Sequence, residues 1–105
     1  MNYLANFQSF TNADDFSESV LSHITRCKIE LTDTNLDVLD ALNDYAVEFP
    51  GAAHVTLSTI AISVNKSRRT VQRSVRKLEQ LRIITRSPIA QKSGGQDANI
   101  YTFIP

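Results

Sequence analysis

The sequence has too few cysteines for a disulfide and no hydrophobic run long enough to cross a membrane. Cys27 is the single cysteine among 105 residues, so an internal disulfide is excluded. No stretch approaches the roughly 20 apolar residues that a membrane-spanning helix needs. The N-terminal segment MNYLANFQSF lacks the basic start and apolar run of a secretory signal. These absences favour a cytoplasmic protein. A chain of 105 residues has the length of one domain.

The chain also lacks the motifs on which most enzymes and metal sites depend. It has no glycine-rich phosphate-binding loop and no glycine-framed serine nucleophile with a plausible His–Asp partnership. His23 and Cys27 lie four residues apart on a predicted helix, but two ligands do not complete a zinc site and no second pair exists. His54 is expected in a strand beside the core. We therefore expect no enzymatic activity, no bound metal and no cofactor.

The net charge is zero, but the charges are strongly separated along the chain. Residues 1–57 hold two basic and nine acidic residues, for a net charge of −7. Residues 58–105 hold nine basic and two acidic residues, for a net charge of +7. We expect the basic half to face a polyanion and the acidic half to face away from it.

The most informative stretch is residues 57–81, LSTIAISVNKSRRTVQRSVRKLEQL. It predicts two short helices joined by a tight turn at Asn65, since asparagine tolerates a positive φ. Ser67 is the predicted N-cap of the second helix, and its hydroxyl would accept from the backbone N–H of Arg69 or Thr70. The spacing i, i+4, i+7 predicts one buried stripe on that helix, formed by Val71, Val75 and Leu78. Basic and donor-rich side chains occupy most of its remaining surface, as the major groove of DNA requires.

The residues before this stretch predict two longer helices. The first, 14–26, is capped by Thr11 or Asn12 and has an apolar face formed by Phe16, Val20, Leu21 and Ile24. This face indicates either packing on the same domain or a homodimer contact, and residues 1–12 form either a frayed tail or an arm that packs on a partner. We assign residues 1–30 to this arm and helix.

Residues 31–105 form the second assigned unit. A helix is predicted at 35–49, ended by Pro50-Gly51, with a buried stripe flanked by Val38 and Tyr45; the stripe consists of Leu36, Leu39, Leu42, Ala46 and Phe49. Its carboxylates are expected on a solvated face: Asp37, Asp40, Asp44 and Glu48. Strands are predicted at 54–56, 83–87 and 99–104, with Gly94-Gly95 at a hairpin tip. The fold class is therefore mostly α with a small β-sheet (α+β).

Residues 60–84, IAISVNKSRRTVQRSVRKLEQLRII, resemble the helix-turn-helix of winged-helix DNA-binding proteins. The matching positions are Ser67, Arg69, Thr70, Val71, Arg73, Val75, Leu78, Glu79, Leu81, Ile83 and Ile84. Asn65 stands where that family commonly has glycine. The likeness covers roughly residues 33–105 and is greatest to regulators and replication proteins of bacterial plasmids and phages.

This resemblance implies sequence-specific binding of double-stranded DNA by a transcriptional regulator. Helix 67–81 would be the recognition helix in the major groove, and hairpin 85–104 would be the wing. Two alternatives remain open at this point. One is the DNA-binding domain of a plasmid or phage replication initiator, and the other is a protein-interaction winged helix whose acidic half binds a partner such as a polymerase or sigma factor.

The candidate DNA-binding residues fall into three groups. The expected base readers are Arg69, Gln72 and Arg73, because arginine and glutamine form paired hydrogen bonds with guanine and adenine. The expected phosphate contacts are Ser67, Arg68, Thr70, Arg76 and Lys77, with Arg86 at the base of the wing. The wing residues expected to follow the backbone into the minor groove are Lys92, Ser93, Gly94, Gly95 and Gln96.

Overall fold

Helices precede and flank a small sheet in the computed structural model, which describes residues 8–88 and 98–105. In chain order the elements are α1 (Ala13–Arg26), α2 (Asp33–Tyr45), β1 (Ala52–Thr56), α3 (Leu57–Val64), α4 (Arg68–Gln80), β2 (Ile84–Pro88) and β3 (Ala98–Phe103). The candidate wing residues from Lys92 to Gln96 lie outside the described residues, as does the N-terminal segment 1–7.

The three strands form one antiparallel sheet in the order β1-β3-β2. In the register, His54 of β1 lies opposite Ile100, and Arg86 of β2 lies opposite Tyr101. The strand predicted at 54–56 is therefore present, and it pairs with β3. β1 begins earlier than predicted because Ala52 and Ala53 also pair with β3, where both are fully buried.

Hydroxyl side chains cap the N-termini of α3 and α4. The Thr56 hydroxyl accepts from the Thr59 N–H at 3.1 Å and starts α3. Ser67 accepts from the Thr70 N–H at 3.1 Å and starts α4. Between the two helices, Asn65 adopts the predicted left-handed backbone, with φ 57° and ψ 46°. The fold is an α+β winged helix-turn-helix, as predicted.

The core lies where α2, α3 and α4 pack together against the sheet. On α4 the predicted stripe of Val71, Val75 and Leu78 is fully buried. From β3, Tyr101 and Phe103 are also without exposed surface. These side chains fix α4 against the body of the domain from one side, because apolar area removed from water is the main stabilising term in folding.

α2 is shorter at its end and buries a broader face than predicted. It runs from Asp33 to Tyr45 rather than over 35–49, because Thr32 and Asn35 form a capping box at its start. At its end the Ala46 N–H donates to Asn43 O at 3.1 Å, so the chain turns before it reaches Pro50. Val38 is fully buried rather than flanking the stripe, since α2 packs on both α3 and α4.

α1 packs on its own domain. The Phe16 ring meets the Phe103 ring edge-on, with centroids 4.9 Å apart, and the Phe10 ring lies 5.3 Å from Phe16. Phe10 is held further by its N–H, which donates to Pro50 O at 3.1 Å. Leu21, in contrast, is 64% exposed, although it was predicted on the same apolar face as Phe16. The assignment of residues 1–30 as a possible dimerisation unit stays a prediction.

Within the described ranges, no helix combines the length and the hydrophobicity that crossing a membrane demands.

Candidate nucleic-acid interface

α4 has two chemically opposite faces. A helix turns about 100° per residue, so Arg69, Arg73 and Arg76 point away from the buried stripe. All three are exposed, whereas Gln72 and Lys77 on the flanks are half-buried. The expected base readers therefore lie at or near the surface rather than inside the core. With 13 residues, α4 is about 20 Å long.

The start of α4 gathers hydrogen-bonding groups around the cap. Besides accepting from the Thr70 N–H, the Ser67 hydroxyl donates to Thr70 Oγ1 at 3.0 Å. The Ser67 hydroxyl proton is therefore already donated to Thr70, whereas the Thr70 hydroxyl can donate its proton to a different acceptor. Arg68 is exposed at the first helical position. The first N–H groups of a helix add a positive potential here, which suits an anion such as phosphate.

A buried polar pair anchors the middle of α4. The Asn35 Nδ2 donates to Ser74 Oγ at 2.9 Å, and Asn35 Oδ1 accepts from the Thr32 N–H at 3.1 Å. Asn35 is 7% exposed and Ser74 is 3% exposed. This bond joins the first turn of α2 to the buried face of α4. The sequence analysis did not predict this hydrogen bond. Ser74 lies one turn from Val71 on the apolar stripe, and a hydroxyl in that position indicates a buried hydrogen-bond partner.

The end of α4 directs the chain into the wing. The Ile83 N–H donates to Leu78 O, and the Arg82 N–H donates to Glu79 O, each at 3.0 Å. These two bonds form a Schellman motif, in which Arg82 occupies the left-handed position with φ 60°. In β2, the Arg86 guanidinium lies 3.8 Å from the Glu79 carboxylate. A phosphate contact by Arg86 would therefore share its guanidinium with Glu79.

Residues 30–84 match the family model of a helix-turn-helix domain. The chain belongs to this helix-turn-helix family. Among solved structures, a chain described as a possible transcriptional regulator from Methanosarcina mazei Go1 is similar, with 25% identity and a TM-score of 0.59. The similarity covers 81% of this chain and 66% of that chain, so the helix-turn-helix protein spans just under two thirds of its structural relative. A comparison with curated proteins found no match. Membership of the family supports DNA binding.

Two exposed cations of this helix-turn-helix domain were not among the candidate residues. Lys66 lies in the turn between α3 and α4, where it lines a shallow groove together with Ser58, Ile62 and Arg68. Arg82 lies at the opposite end of α4. Both were counted in the basic half of the chain. The position of Lys66 next to the Ser67 cap could have identified Lys66 as a candidate DNA contact.

Most acidic side chains belong to other helices than the arginines of α4, which itself contains one acidic residue, Glu79. Asp37, Asp40 and Asp44 of α2 are exposed, as is Glu48 in the turn that follows, in agreement with the predicted solvated face. The charge separation along the sequence therefore corresponds largely to a separation between elements, with carboxylates concentrated on α1 and α2 and cations concentrated on α4.

His23 has hydrogen-bond partners within the fold, and Cys27 is part of the core. The two His23 ring nitrogens face Ile104 O at 2.5 Å and the Arg26 guanidinium at 2.8 Å, which fits a neutral ring with its proton on Nε2. Arg26 also donates to Leu81 O at 3.2 Å, and Cys27 is buried in the core. Across the part of the chain that the structure describes, no three side chains of the metal-binding types come together.

Proposed function

We propose that the chain binds double-stranded DNA in a sequence-specific manner, with α4 in the major groove. The observation that carries this proposal is the two-sided character of α4. Val71, Val75 and Leu78 are fully buried, while the arginines on the opposite face are exposed. The major groove of B-DNA is wide enough for one α-helix, and it presents acceptor groups that arginine can bind.

Arg69, Gln72 and Arg73 are the proposed base readers. Arg69 and Arg73 are four residues apart and therefore neighbours on one face of α4, with Gln72 beside them. Each arginine can donate two parallel hydrogen bonds to the O6 and N7 atoms of guanine, and glutamine can form the matching pair with adenine. We expect the recognised sequence to contain guanine opposite these arginines.

The proposed phosphate contacts surround this group. They are Ser67, Arg68 and Thr70 at the start of α4, and Arg76 and Lys77 further along. Arg86 and the segment from Lys92 to Gln96 are the proposed wing contacts. Phosphate contacts set the register and orientation of a protein on the duplex, whereas base contacts supply the sequence preference.

We further propose that DNA binding serves transcriptional regulation. Support comes from the description of the Methanosarcina mazei structure as a possible transcriptional regulator. The alternative of a replication initiator predicts iterated sites at an origin rather than a site at a promoter. Mapping where the chain binds on the DNA of its source, followed by a promoter–reporter assay, distinguishes these two roles.

Selection of bound sequences from a random pool of duplexes tests the proposal directly. The wild-type chain should enrich one motif, and Arg73→Ala should relax the preference at one position with a loss of about 1–3 kcal/mol there. Arg76→Ala is the matched variant on the same helix, and it should weaken binding to all sequences by a similar factor. Lys92→Ala should flatten the dependence of affinity on salt.

Failure to enrich any motif would reject sequence-specific binding. An equal loss on every sequence for Arg73→Ala would instead reassign Arg73 to a phosphate. An unchanged salt slope for Lys92→Ala would remove the wing tip from the proposed interface.

A further inference from the structure

An apolar groove lies between α1 and α2. Its apolar lining consists of Val20, Leu21, Ile24, Leu36 and Leu39, and none of the described residues that line it belongs to α4. Val20 and Leu39 are buried, whereas Leu21 is 64% exposed. The apolar surface is therefore continuous from the core to the solvent, which is typical of an interaction site rather than of one scattered side chain.

A stripe of carboxylates runs along the α2 side of this groove. Asp33, Asp37, Asp40 and Asp44 are spaced at intervals of four, three and four residues, so they lie on one side of the helix. All four are exposed, and Asp37 and Asp40 line the groove together with the leucines. Because α2 contains no lysine or arginine, no cation of this helix offsets their charge.

We propose that the groove binds a short amphipathic helix of another protein, with lysine or arginine on the side that lies along α2. The apolar side chains of the bound helix pack on Val20, Leu21 and Ile24, and its cations face Asp37 and Asp40. An apolar groove between two helices is a known geometry for receiving the apolar face of a third. This interaction is additional to the proposed DNA binding and does not depend on it.

Charge complementarity favours this occupant over a second copy of α1 and α2. These two helices hold three carboxylates in α1 and four in α2, against a single arginine. A second copy that placed the same helices in the groove would therefore bring like charges together, whereas a cationic helix brings opposite charges. The exposure of Leu21 also distinguishes the groove from a small-molecule site, which encloses most of the surface of its ligand.

Fluorescence anisotropy of a labelled synthetic peptide, titrated with the full 105-residue chain, tests the proposal. The probe is a helical peptide with a leucine stripe flanked by lysines, and the matched probe carries glutamate at every lysine position. The lysine peptide should bind in a saturable manner that weakens as salt increases, and the glutamate peptide should bind at least about tenfold more weakly. In the NMR spectrum, bound lysine peptide should shift the amide signals of residues 17–24 and 36–43.

Two pairs of variants separate the apolar contact from the charge. Leu21→Ala should weaken binding of the lysine peptide about tenfold, because the lost side chain contributes apolar area to the contact. Asp37→Asn combined with Asp40→Asn should weaken it about fivefold, as expected for two exposed ion pairs. Val47→Ala and Glu48→Gln are the matched controls, since both residues are exposed but neither lines the groove, and they should bind like the wild type. Circular dichroism should be the same for all variants.

Four outcomes would overturn the proposal. The first is equal affinity for the lysine and glutamate peptides, and the second is binding that Leu21→Ala and the paired aspartate variant leave unchanged. The third is a set of shifted amide signals outside the groove, which would place the peptide elsewhere. The fourth is a wild-type chain that dimerises without peptide and loses its dimer in Leu21→Ala, which would assign the groove to a second copy. No DNA is present in these measurements, so their failure is separate from a failure of the proposed DNA binding.

Discussion

Arg82 adopts a backbone conformation that residues with a Cβ atom rarely adopt. It holds the left-handed position of the Schellman motif at the end of α4, with φ 60°. A residue with a Cβ atom pays about 1–2 kcal/mol in this region, whereas glycine is free of that cost. Glycine also lowers the free energy of unfolding by about 0.5–1 kcal/mol relative to alanine, because its unfolded chain loses more conformational entropy on folding. We therefore expect Arg82→Gly to be more stable than Arg82→Ala by about 1 kcal/mol.

The comparison of two variants removes the effect of the lost charge. Arginine near the end of a helix also interacts favourably with the helix dipole, by about 0.3–1 kcal/mol at low salt. Both variants lose this term equally, so their difference reports the backbone alone. Urea denaturation at one pH gives each free energy of unfolding, and a difference of this size should separate the melting temperatures by about 4–8 °C.

The interior of the same helix supplies the control. At Arg76, an exposed residue in the body of α4, the order should reverse, with Arg76→Ala more stable than Arg76→Gly by about 1 kcal/mol. If alanine is at least as stable as glycine at Arg82, the left-handed conformation of this residue is wrong and so is the Schellman ending of α4.

Two further predictions concern residues away from the surface of α4. Asn35→Ala should destabilise the fold by about 2–3 kcal/mol, because it removes both the bond to Ser74 and the capping-box bond from the Thr32 N–H to Asn35 Oδ1. Ser74→Ala should cost less, and a double-mutant cycle should give a coupling of about 1 kcal/mol; additive losses would show that the two side chains do not interact. Gly51→Ala should destabilise by more than about 2 kcal/mol, since φ is 94° and a Cβ would lie 2.0 Å from Ser9 Oγ. A melting temperature equal to the wild type would refute this packing.

Local signals explain why the helix-turn-helix was predicted closely. α3 has the predicted bounds, and the predicted helix 67–81 consists of α4 together with its two cap residues. Each boundary is set by a residue within a few positions of it, such as the hydroxyl of Ser67 or the left-handed Asn65. A cap acts on backbone groups two or three residues away, so the sequence alone contains both partners.

The errors arose where distant parts of the chain decide the outcome. The end of α2 depends on a turn between Ala46 and Pro50 that packs against the chain around Phe10. Val38 is buried because α2 meets two other helices, a fact that periodicity along α2 does not contain. The left-handed Arg82 was missed because glycine or asparagine is the usual signal for that conformation.

The bond between Asn35 and Ser74 connects these long-range effects to the proposed function. Hydrophobic burial is not directional, so a stripe of valine and leucine tolerates a range of rotations of α4 about its axis. A rotation by one residue is about 100°, enough to turn Arg69 and Arg73 from the surface to the flank. A hydrogen bond loses strength when its angle departs from linear, and a buried donor without a partner is costly. The polar pair on the hidden side of α4 therefore restricts which side chains the helix presents on its exposed side.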